Sequence, residues 1–529
     1  MLTALMILVV VFSNAAGDVF LTKGMKQVGD VSALAKGQIW ASIKQTAFNV
    51  NFILGVACLA VSFFSFLAVL SWANLSFVVP ATAIVYVVTV LGAKIFLAEK
   101  VDRLRWGGTL LICCGVGLVC LPEGISLSLA MARKSLEVVF GALTMASVCY
   151  YFVAIIAAER FFGKTGKQKQ FLDTSIPPTG STPAALKPPV SLLVPLCGAD
   201  FRACQNYASL CRQDYPQFEI IFGVADPADS SILVVNKLKA DFPDVAVKLV
   251  VSSEKIGPNP KVNSLNNMLS QASYETLLML DSDIRVGPGF ISQISQELLG
   301  LGQGLLTCLY RAGEAPGLAS TFEALGISSD FAPGVFVAQM GGGISFAFGA
   351  CIALTKKTLQ AIGGFPAIAP YLADDYMLGN LVYKAGFPVK LSKCVVETVL
   401  SRLTTAGFLK HQLRWQRGIR ACAPLGHTGS VITNGTALSF FFFASCGFSR
   451  FGLIVFAVAV ALRLFMAWMV GVRRMQDDIL KHFLPLVPFR DFLGLLIWAA
   501  ALFGNRVEWR GRVFRLEKDG KITPRHAFS

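Results

Sequence analysis

The chain has 529 residues, of which 54% are hydrophobic and 15% are charged, with 41 Phe and a mean hydropathy of +0.61. This composition excludes a disordered chain and an ordinary soluble enzyme, and it indicates an integral membrane protein that carries one sizeable polar domain. The net charge of +15 lies mostly beside hydrophobic stretches, where basic residues orient a chain and bind anionic lipid, so we predict no nucleic-acid partner.

Five apolar runs in the first part of the chain are long enough to predict transmembrane helices, which need about 20 apolar residues. They lie at 2–21, 50–71, 75–97, 106–121 and 136–158. Basic residues concentrate in alternate connectors: Lys23, Lys26, Lys36, Lys44, Lys100, Arg103, Arg105, Arg160, Lys164, Lys167 and Lys169. The positive-inside tendency then predicts an outer amino terminus and a cytoplasmic chain after residue 160. We expect the membrane to be a bacterial inner membrane.

Four segments stand out in the first part of the chain: 74–81, 97–100, 106–108 and 115–117. With these segments, residues 1–122 resemble half of a drug/metabolite transporter of the small multidrug-resistance or EamA type. Small residues are also common wherever transmembrane helices pack closely, so a membrane anchor is the alternative. Asp18 and Lys94 are the ionisable candidates for a transport role within these spans.

The long apolar runs stop at a linker, 161–189, which is rich in Pro, Thr, Ser and Gly from residue 172. Buried strands are predicted at 190–195, 218–224, 245–251, 276–280 and 304–309, separated by helical patterns. This alternation predicts an α/β domain with a mostly parallel sheet and helices on both faces. Ligands of such domains bind at the carboxyl ends of the strands.

Two carboxylates, Asp281 and Asp283, directly follow the predicted strand 276–280. At the end of a strand, a small turn can aim both at one divalent cation. Mg²⁺ and Mn²⁺ take oxygen ligands, often one or two carboxylates together with substrate phosphates. The pair therefore indicates a metal site for a diphosphate, although a solvated turn is the simpler alternative.

Asp226 and Lys261 lie in loops that follow predicted strands. Asp226 comes after the strand 218–224 and would hydrogen-bond a base or ribose, or cap its own loop. Lys261 lies in the segment Asn-Pro-Lys-Val-Asn and would pair with a phosphate as a point charge, or belong to an ordinary loop.

Asp374 and Asp375 open a helical pattern after Gly363-Gly364-Phe365. Acids in a first helical turn are common as caps. The functional alternative makes one of them a general base, because neighbouring carboxylates raise each other's proton affinity.

A basic stretch at 411–417 precedes three further apolar runs, 434–449, 451–472 and 484–504. It is typical of a helix at the membrane surface, and its Arg414 and Trp415 would also lie beneath the active site.

In this order the segments resemble processive and lipid-directed family 2-like glycosyltransferases, and most closely the ceramide glucosyltransferase family. The match covers about residues 188–516 and is carried by 191–195, 259–263, 281–284, 309–312, 374–379 and 509–512. The resemblance implies a GT-A-like, nucleotide-sugar-binding domain in the cytosol between all-α transmembrane bundles.

The resemblance also implies roles for individual residues. Asp226 would contact the uracil or ribose of a UDP-sugar, and Asp281 and Asp283 would form the site of the metal and diphosphate. Asp375 would be the general base. The Arg-Trp pair of the family motif would be Arg414 and Trp415.

Two positions depart from the family pattern. His411 stands where the motif has Gln or Arg, and Asp374 stands where related enzymes often have Glu. The first departure puts contacts with the acceptor or diphosphate in doubt, while the base and the Arg-Trp pair are retained.

The predicted function is an inverting, metal-dependent transfer of a hexose, glucose in our interpretation, from a UDP-sugar to a hydroxyl of a membrane lipid such as ceramide or a hopanoid. The alternatives are a processive polysaccharide synthase and a transporter with a regulatory cytosolic domain. The predicted organisation is a four-helix membrane region at 1–122, a fifth span at 123–160, the linker at 161–189, the catalytic domain at 190–402, an interfacial helix at 403–430, a transmembrane region at 431–516 and a tail at 517–529.

Overall fold

The computed structural model describes residues 2–28, 46–97, 101–119, 123–163 and 187–524. Most of the predicted linker, 164–186, lies outside the described residues. So do several basic residues used to predict the orientation: Lys36, Lys44, Lys100, Lys164, Lys167 and Lys169. The chain divides into two compact units, Met1–Arg133 and Lys134–Ser529.

The first unit is helical: α1 Leu2–Val28, α2 Val50–Leu70, α3 Leu75–Thr82, α4 Val85–Phe96 and α5 Arg103–Val119. Helices α1 and α2 approach each other at glycines. A Cβ atom at Gly17 would lie 2.8 Å from the Leu59 side chain, and one at Gly55 would lie 2.9 Å from the backbone nitrogen of Leu21. Only small residues permit this distance between helices.

Among the described residues, five helices are long and apolar enough to cross a membrane: 5–27, 50–70, 131–162, 450–474 and 478–501. The predicted span 75–97 is instead two short helices, α3 and α4. Pro80, which lacks a backbone N–H, lies within α3 shortly before the break. The predicted span 106–121 falls in α5, which has only 17 residues. The expectation of apolar helical regions on both sides of the sheet domain is confirmed.

An eight-stranded sheet forms the centre of the second unit, after the long helix α6, Glu123–Phe162. Its order is β3-β2-β1-β4-β7-β6-β8-β5. The strands are β1 Val190–Pro195, β2 Phe218–Val224, β3 Ala246–Val251, β4 Thr276–Leu280, β5 Ile284–Arg285, β6 Leu305–Glu314, β7 Cys351–Thr355 and β8 Val389–Val399. Four of the seven neighbouring pairs are parallel, while β7 is antiparallel to both neighbours and β5 is antiparallel to β8. The prediction of an α/β domain with a mostly parallel sheet is confirmed.

Helices cover both faces of this sheet, which explains why its central strands are continuous apolar runs rather than alternating ones. One face packs against α7 Ala203–Cys211, α8 Ser231–Asp241 and α10 Phe290–Leu299. The other packs against α9 Pro260–Leu269, α13 Lys356–Ala361 and α14 Asp374–Lys384. The two cores fix the strand register and therefore the loops at the carboxyl ends.

The remaining helices lie between and after these strands. They are α11 Leu318–Gly326, α12 Ala332–Met340, α15 Thr405–Cys422, α16 Pro424–Gly429, α17 Gly435–Ser445, α18 Arg450–Ala467, α19 Asp478–Phe483 and α20 Val487–Ala501. A π-helical turn, Ile327–Phe331, joins α11 to α12. A second, Trp468–Arg474, extends α18.

A small antiparallel sheet follows the last helix: β9 Arg506–Trp509, β10 Arg512–Leu516 and β11 Ile522–Pro524. These strands fall within the predicted transmembrane region, 431–516, and the predicted tail, 517–529. The buried side chains of Val507, Phe514 and Ile522 pack with Leu372, in the loop before α14. The sheet therefore lies against the catalytic domain.

Candidate active site

One cavity of about 2550 Å³ lies at the carboxyl ends of β1, β2 and β4, and α15 and the small C-terminal sheet also line it. All seven residues selected from the sequence line this cavity: Asp226, Lys261, Asp281, Asp283, Asp375, Arg414 and Trp415. They come from five separate segments of the chain, so the fold brings together groups that lie up to 189 positions apart, from 226 to 415.

Asp281 and Asp283 occupy the turn after β4. The Lys261 ammonium lies 2.5 Å from an Asp281 oxygen. The Thr398 hydroxyl donates a hydrogen bond of 2.8 Å to Asp283. Burial and the neighbouring negative charge of Asp281 together raise the pKa of Asp283 to about 7. Two carboxylates held this close, one of them poorly solvated, favour a cation between them.

The residues present fit a divalent metal ion only when substrate supplies further ligands. Within the described part of the chain, no group of three or more His, Cys, Asp and Glu side chains could hold a metal ion. A pair of carboxylates with the oxygens of a diphosphate is nevertheless a usual site for Mg²⁺. The metal site that the sequence predicts at Asp281 and Asp283 stays a prediction.

Lys261 is positioned by the first turn of α9. The Asn259 side chain caps this helix by accepting from the backbone N–H groups of Lys261 and Val262. The Lys261 ammonium lies 3.8 Å from an Asp374 oxygen as well as beside Asp281. Burial lowers the pKa of Lys261, but the charges of the surrounding aspartates outweigh it and hold the pKa well above its usual value. Lys261 is therefore a permanent cation.

Asp374 and Asp375 open α14 and have different environments. Asp374 is buried and accepts 3.2 Å from the Asn259 amide, and burial raises its pKa to about 6. Asp375 accepts from the backbone N–H groups of Gly349 and Tyr376, both at 2.8 Å. Burial raises the pKa of Asp375 as well, against the lowering effect of Lys261. Both side chains face the cavity.

Gly349 marks the point where these groups converge. A Cβ atom there would lie 2.9 Å from the Lys261 nitrogen and 3.1 Å from an Asp281 oxygen. It would also lie 3.3 Å from an Asp375 oxygen. A side chain at this position would displace all three groups. The sequence alone does not point to Gly349, because a single Gly between apolar residues carries no distinguishing signal.

Asp226 caps its own loop and also lines the cavity. One oxygen accepts 2.9 Å from the backbone N–H of Ala228. Asp229, which the sequence analysis did not select, ties this loop to the end of β1 by accepting 2.8 Å from the backbone N–H of Gly198. Asp226 can therefore cap its own loop and also be available to hydrogen-bond a base or ribose in the cavity.

Helix α15 presents Arg414 and Trp415 to the cavity. The Arg414 guanidinium lies 5.7 Å from the centre of the Trp509 ring, and burial lowers its pKa. The Trp415 ring packs at 4.6 Å against His411. The His411 ring lies 3.0 Å from the carboxylate of Glu323, a buried acid on α11 that also lines the cavity. His411, which departs from the family motif, thus has a partner, Glu323, that the sequence did not reveal.

Two other basic residues of α15 have a structural use. Arg417 donates to the backbone oxygens of Phe503 and Arg506, and Arg420 donates to that of Gly504. These contacts satisfy carbonyl groups just after α20. Arg417 and Arg420 therefore attach α15 to the segment that follows α20.

The chain is similar to known proteins over most of its length. A family model described as glycosyl transferase family 21 matches residues 139–522. Ceramide glucosyltransferase 1 of Caenorhabditis elegans is 25% identical over 343 residues, covering 63% of this chain and 73% of that protein. Ceramide glucosyltransferase 3 of the same organism is 22% identical over 346 residues, covering 64% and 74%.

Among solved structures, the mannosyltransferase PcManGT from Pyrobaculum calidifontis, in complex with GDP-Man and Mn²⁺, is 18% identical. It covers 69% of this chain and 97% of its own, with a TM-score of 0.41. This likeness is too distant to support an argument about function.

Proposed function

Because this chain belongs to glycosyl transferase family 21, we propose that it transfers a glucosyl group from UDP-glucose to a hydroxyl of a membrane lipid. The observation that carries the proposal is the convergence of Lys261, Asp281 and Asp375 around Gly349, in a cavity that α15 also lines. A cavity that combines excess carboxylate with permanent cations suits a nucleotide diphosphate, its counter-ion and a proton acceptor.

The donor would bind across the carboxyl ends of β1, β2 and β4. Asp226 would accept hydrogen bonds from the uracil or ribose, since the loop after β2 lies where sheets of this kind bind nucleosides. Asp281 and Asp283 would hold Mg²⁺ or Mn²⁺, which supplies neutralisation of charge on the leaving diphosphate. Lys261 would add a fixed positive charge beside that diphosphate.

The base would be Asp375. The acceptor hydroxyl attacks the anomeric carbon as its proton passes to the Asp375 carboxylate. The bond between the anomeric carbon and the diphosphate oxygen breaks, and UDP leaves. Attack from the face opposite the leaving group inverts the anomeric centre, so an α-linked donor gives a β-glycoside. Backbone N–H groups from Gly349 and Tyr376 hold the carboxylate in a fixed orientation.

The acceptor would be ceramide, after the names of the two relatives, or a hopanoid. Apolar helices 450–474 and 478–501 follow α15, and residues from both α15 and α20 line the cavity. A lipid could therefore keep its tails in the bilayer while its head reaches Asp375, with Arg414 and Trp415 beside it. This arrangement favours addition of one sugar.

Lipid profiling of cells that express the chain tests the reaction. We expect a new hexosyl lipid, and we expect Asp375→Asn to lower its rate of formation about 10²–10⁴-fold, the usual effect of losing a general base. Asp241→Asn, at the exposed end of α8 and outside the cavity, is the matched control. Mass spectrometry reads the product as a hexosyl ceramide, a hexosyl hopanoid or a polymer. A polymer, or an unchanged rate in the Asp375 variant, would contradict the proposal.

Metal binding has its own test. Calorimetry should detect Mn²⁺ binding in the presence of UDP, and Asp283→Asn should weaken it at least about tenfold, because one of two protein ligands is lost. Equal binding by the variant and the wild type would argue against a metal at Asp281 and Asp283.

We further propose the predicted division of the chain, with a catalytic domain that faces the cytoplasm of a bacterium and a transporter-like region at 1–122. Thr89 donates a hydrogen bond of 3.4 Å to Asp18, the acid within α1. If this region transports glycolipid, Asp18→Asn should lower the glycolipid in the outer leaflet while leaving its total amount unchanged. An unchanged distribution between leaflets would leave membrane anchoring as its role.

A further inference from the structure

The hairpin between β9 and β10 has an unusual turn. Trp509 pairs with Arg512, so Arg510 and Gly511 are the two central residues. Their φ angles are 49° and 73°. Two positive angles define a type I′ turn, in which Asn and Gly are preferred at the first position. An Arg in this left-handed conformation is disfavoured by the turn itself and persists where the surroundings hold it.

The Arg510 side chain reaches the nucleotide edge of the sheet. Its guanidinium donates to the backbone oxygen of Cys197, which lies just after β1, and Arg510 lines the cavity. The loop after β1 is held in place from the loop after β2, since Ala199 N–H donates 3.0 Å to the Ser230 hydroxyl. The turn of the C-terminal hairpin therefore contacts the position where parallel sheets bind phosphates and nucleosides.

The Arg510 guanidinium and the Lys261 ammonium have different neighbours. Lys261 is held by Asp281 at 2.5 Å and by Asp374 at 3.8 Å. Arg510, which is exposed and lines the cavity, forms no ion pair within 4.0 Å among the described residues, although its charge acts on Asp229 from a longer distance, and its hydrogen bond goes to a neutral carbonyl. A guanidinium can bind two phosphate oxygens at once, so exchanging a carbonyl for a phosphate is favourable.

The hairpin is attached firmly on its other side. The Trp509 ring lies 5.7 Å from the Arg414 guanidinium, and Glu508 lies 2.8 Å from the Lys410 ammonium. The backbone N–H of Leu372 donates 3.1 Å to the oxygen of Gly520. The sheet is thus connected both to α15 and to the loop that precedes the proposed base, and Arg510 is presented from a supported turn.

We propose that Arg510 is a donor-binding residue, which binds the diphosphate of the nucleotide sugar from the turn of the C-terminal hairpin. This inference rests on the proposed function, because it requires a nucleotide-sugar donor. On binding, the guanidinium exchanges the Cys197 oxygen for phosphate oxygens, while the hairpin keeps its contacts with α15.

The substitution Arg510→Asn tests the contact without disturbing the turn, because Asn is favoured at this position. The full-length protein in detergent is assayed for the KM of UDP-glucose, and calorimetry measures the binding of UDP and of uridine. We expect KM and the Kd of UDP to rise about tenfold to hundredfold, the usual effect of losing a charge-assisted contact. The Kd of uridine, which has no phosphate, should not change. Arg515→Ala, exposed on β10 and outside the cavity, is the control and should stay within about twofold of the wild type.

Three results separate the possibilities. An unchanged KM and Kd of UDP in Arg510→Asn would overturn the inference. Equal weakening of UDP and uridine would also overturn it, because the contact would then be with the nucleoside. If the wild type binds UDP but forms no hexosyl lipid, the proposed function fails, while the ratio of the two dissociation constants still tests the role of Arg510.

Discussion

The cavity and the C-terminal helices each hold a cluster of buried charged side chains, and the two clusters are built differently. In the cavity, one cation, Lys261, lies among Asp281, Asp374 and Asp375, with Asp283 beyond them. Negative charge is in excess, and the groups face a large cavity.

In the helices, Arg463 on α18 is fully buried and lies 2.9 Å from Asp491 on α20, which is also fully buried. Arg463 also pairs with Asp330 in the π-helical turn. Arg490 lies 3.7 Å from Asp330, so two arginines face two aspartates. This cluster is balanced and joins the helices α18 and α20 to the turn before α12.

The difference between the two clusters indicates which buried charged groups can take part in binding and catalysis. A balanced cluster has its charges compensated within the protein, and breaking it leaves a charge without a partner. An unbalanced cluster retains negative charge that a cation, a diphosphate counter-ion or a proton can neutralise. Substitutions in the balanced cluster of the helices should therefore reduce stability. Substitutions in the unbalanced cluster of the cavity should mainly alter binding and catalysis.

The largest expected effect on stability comes from Arg463→Met. Asp491 would remain buried without its cation, which costs about 3–5 kcal/mol. The midpoint of thermal unfolding in detergent measures the loss. The double variant Arg463→Met/Asp491→Leu should recover most of it, because no unpaired charge remains. A single variant as stable as the wild type would show that the two clusters do not differ in this way.

An intermediate effect is expected from pH at Asp374. Its pKa is raised to about 6 by burial, so the folded chain binds this proton more tightly than the unfolded chain. The contribution of Asp374 to stability is therefore present at low pH and is lost as the pH rises through about 6. Asp374→Asn removes this dependence.

The measurement compares the thermal midpoints of Asp374→Asn and the wild type at several pH values. The difference should move in favour of the variant as the pH rises from 4 toward and beyond about 6. Asp519→Asn, in the exposed turn between β10 and β11, provides a comparison outside the cavity. If the difference between the two thermal midpoints does not vary with pH, Asp374 is not the group that binds the proton.

The strands of the cavity edge were predictable because they are buried on both faces. The predicted bounds of β1, β2 and β4 coincide with the observed ones, since each is a short apolar run between loop residues. Carboxylates that directly follow such strands must lie at one edge of the sheet. The position of Asp226, Asp281 and Asp283 just after predicted strands was therefore enough to predict that they lie at the same edge of the sheet.

Other features depended on contacts between distant segments. β7 fits between β4 and β6 as an antiparallel strand, which no local pattern indicates. The small C-terminal sheet is short and strongly basic, so it was assigned to a membrane region and a tail. Glu323 could be recognised only through its contact with His411.

The ion pair of Arg463 and Asp491 did leave a signal. Each is a charged residue inside an apolar run, and such residues in transmembrane segments usually pair with each other.

The smallest expected effect comes from His411→Gln, which restores a residue of the family motif in the unbalanced cavity. A Gln amide can donate to Glu323 as the His ring does, so the buried acid keeps a partner. We expect the KM for the lipid acceptor to change by less than about threefold, and the KM for UDP-glucose to stay the same, because one N–H donor to the Glu323 side chain is exchanged for another. His411→Ala should do more, since Glu323 would be left buried without its partner. A Gln variant as impaired as the Ala variant would mean that the ring of His411, packed on Trp415, matters more than its hydrogen bond.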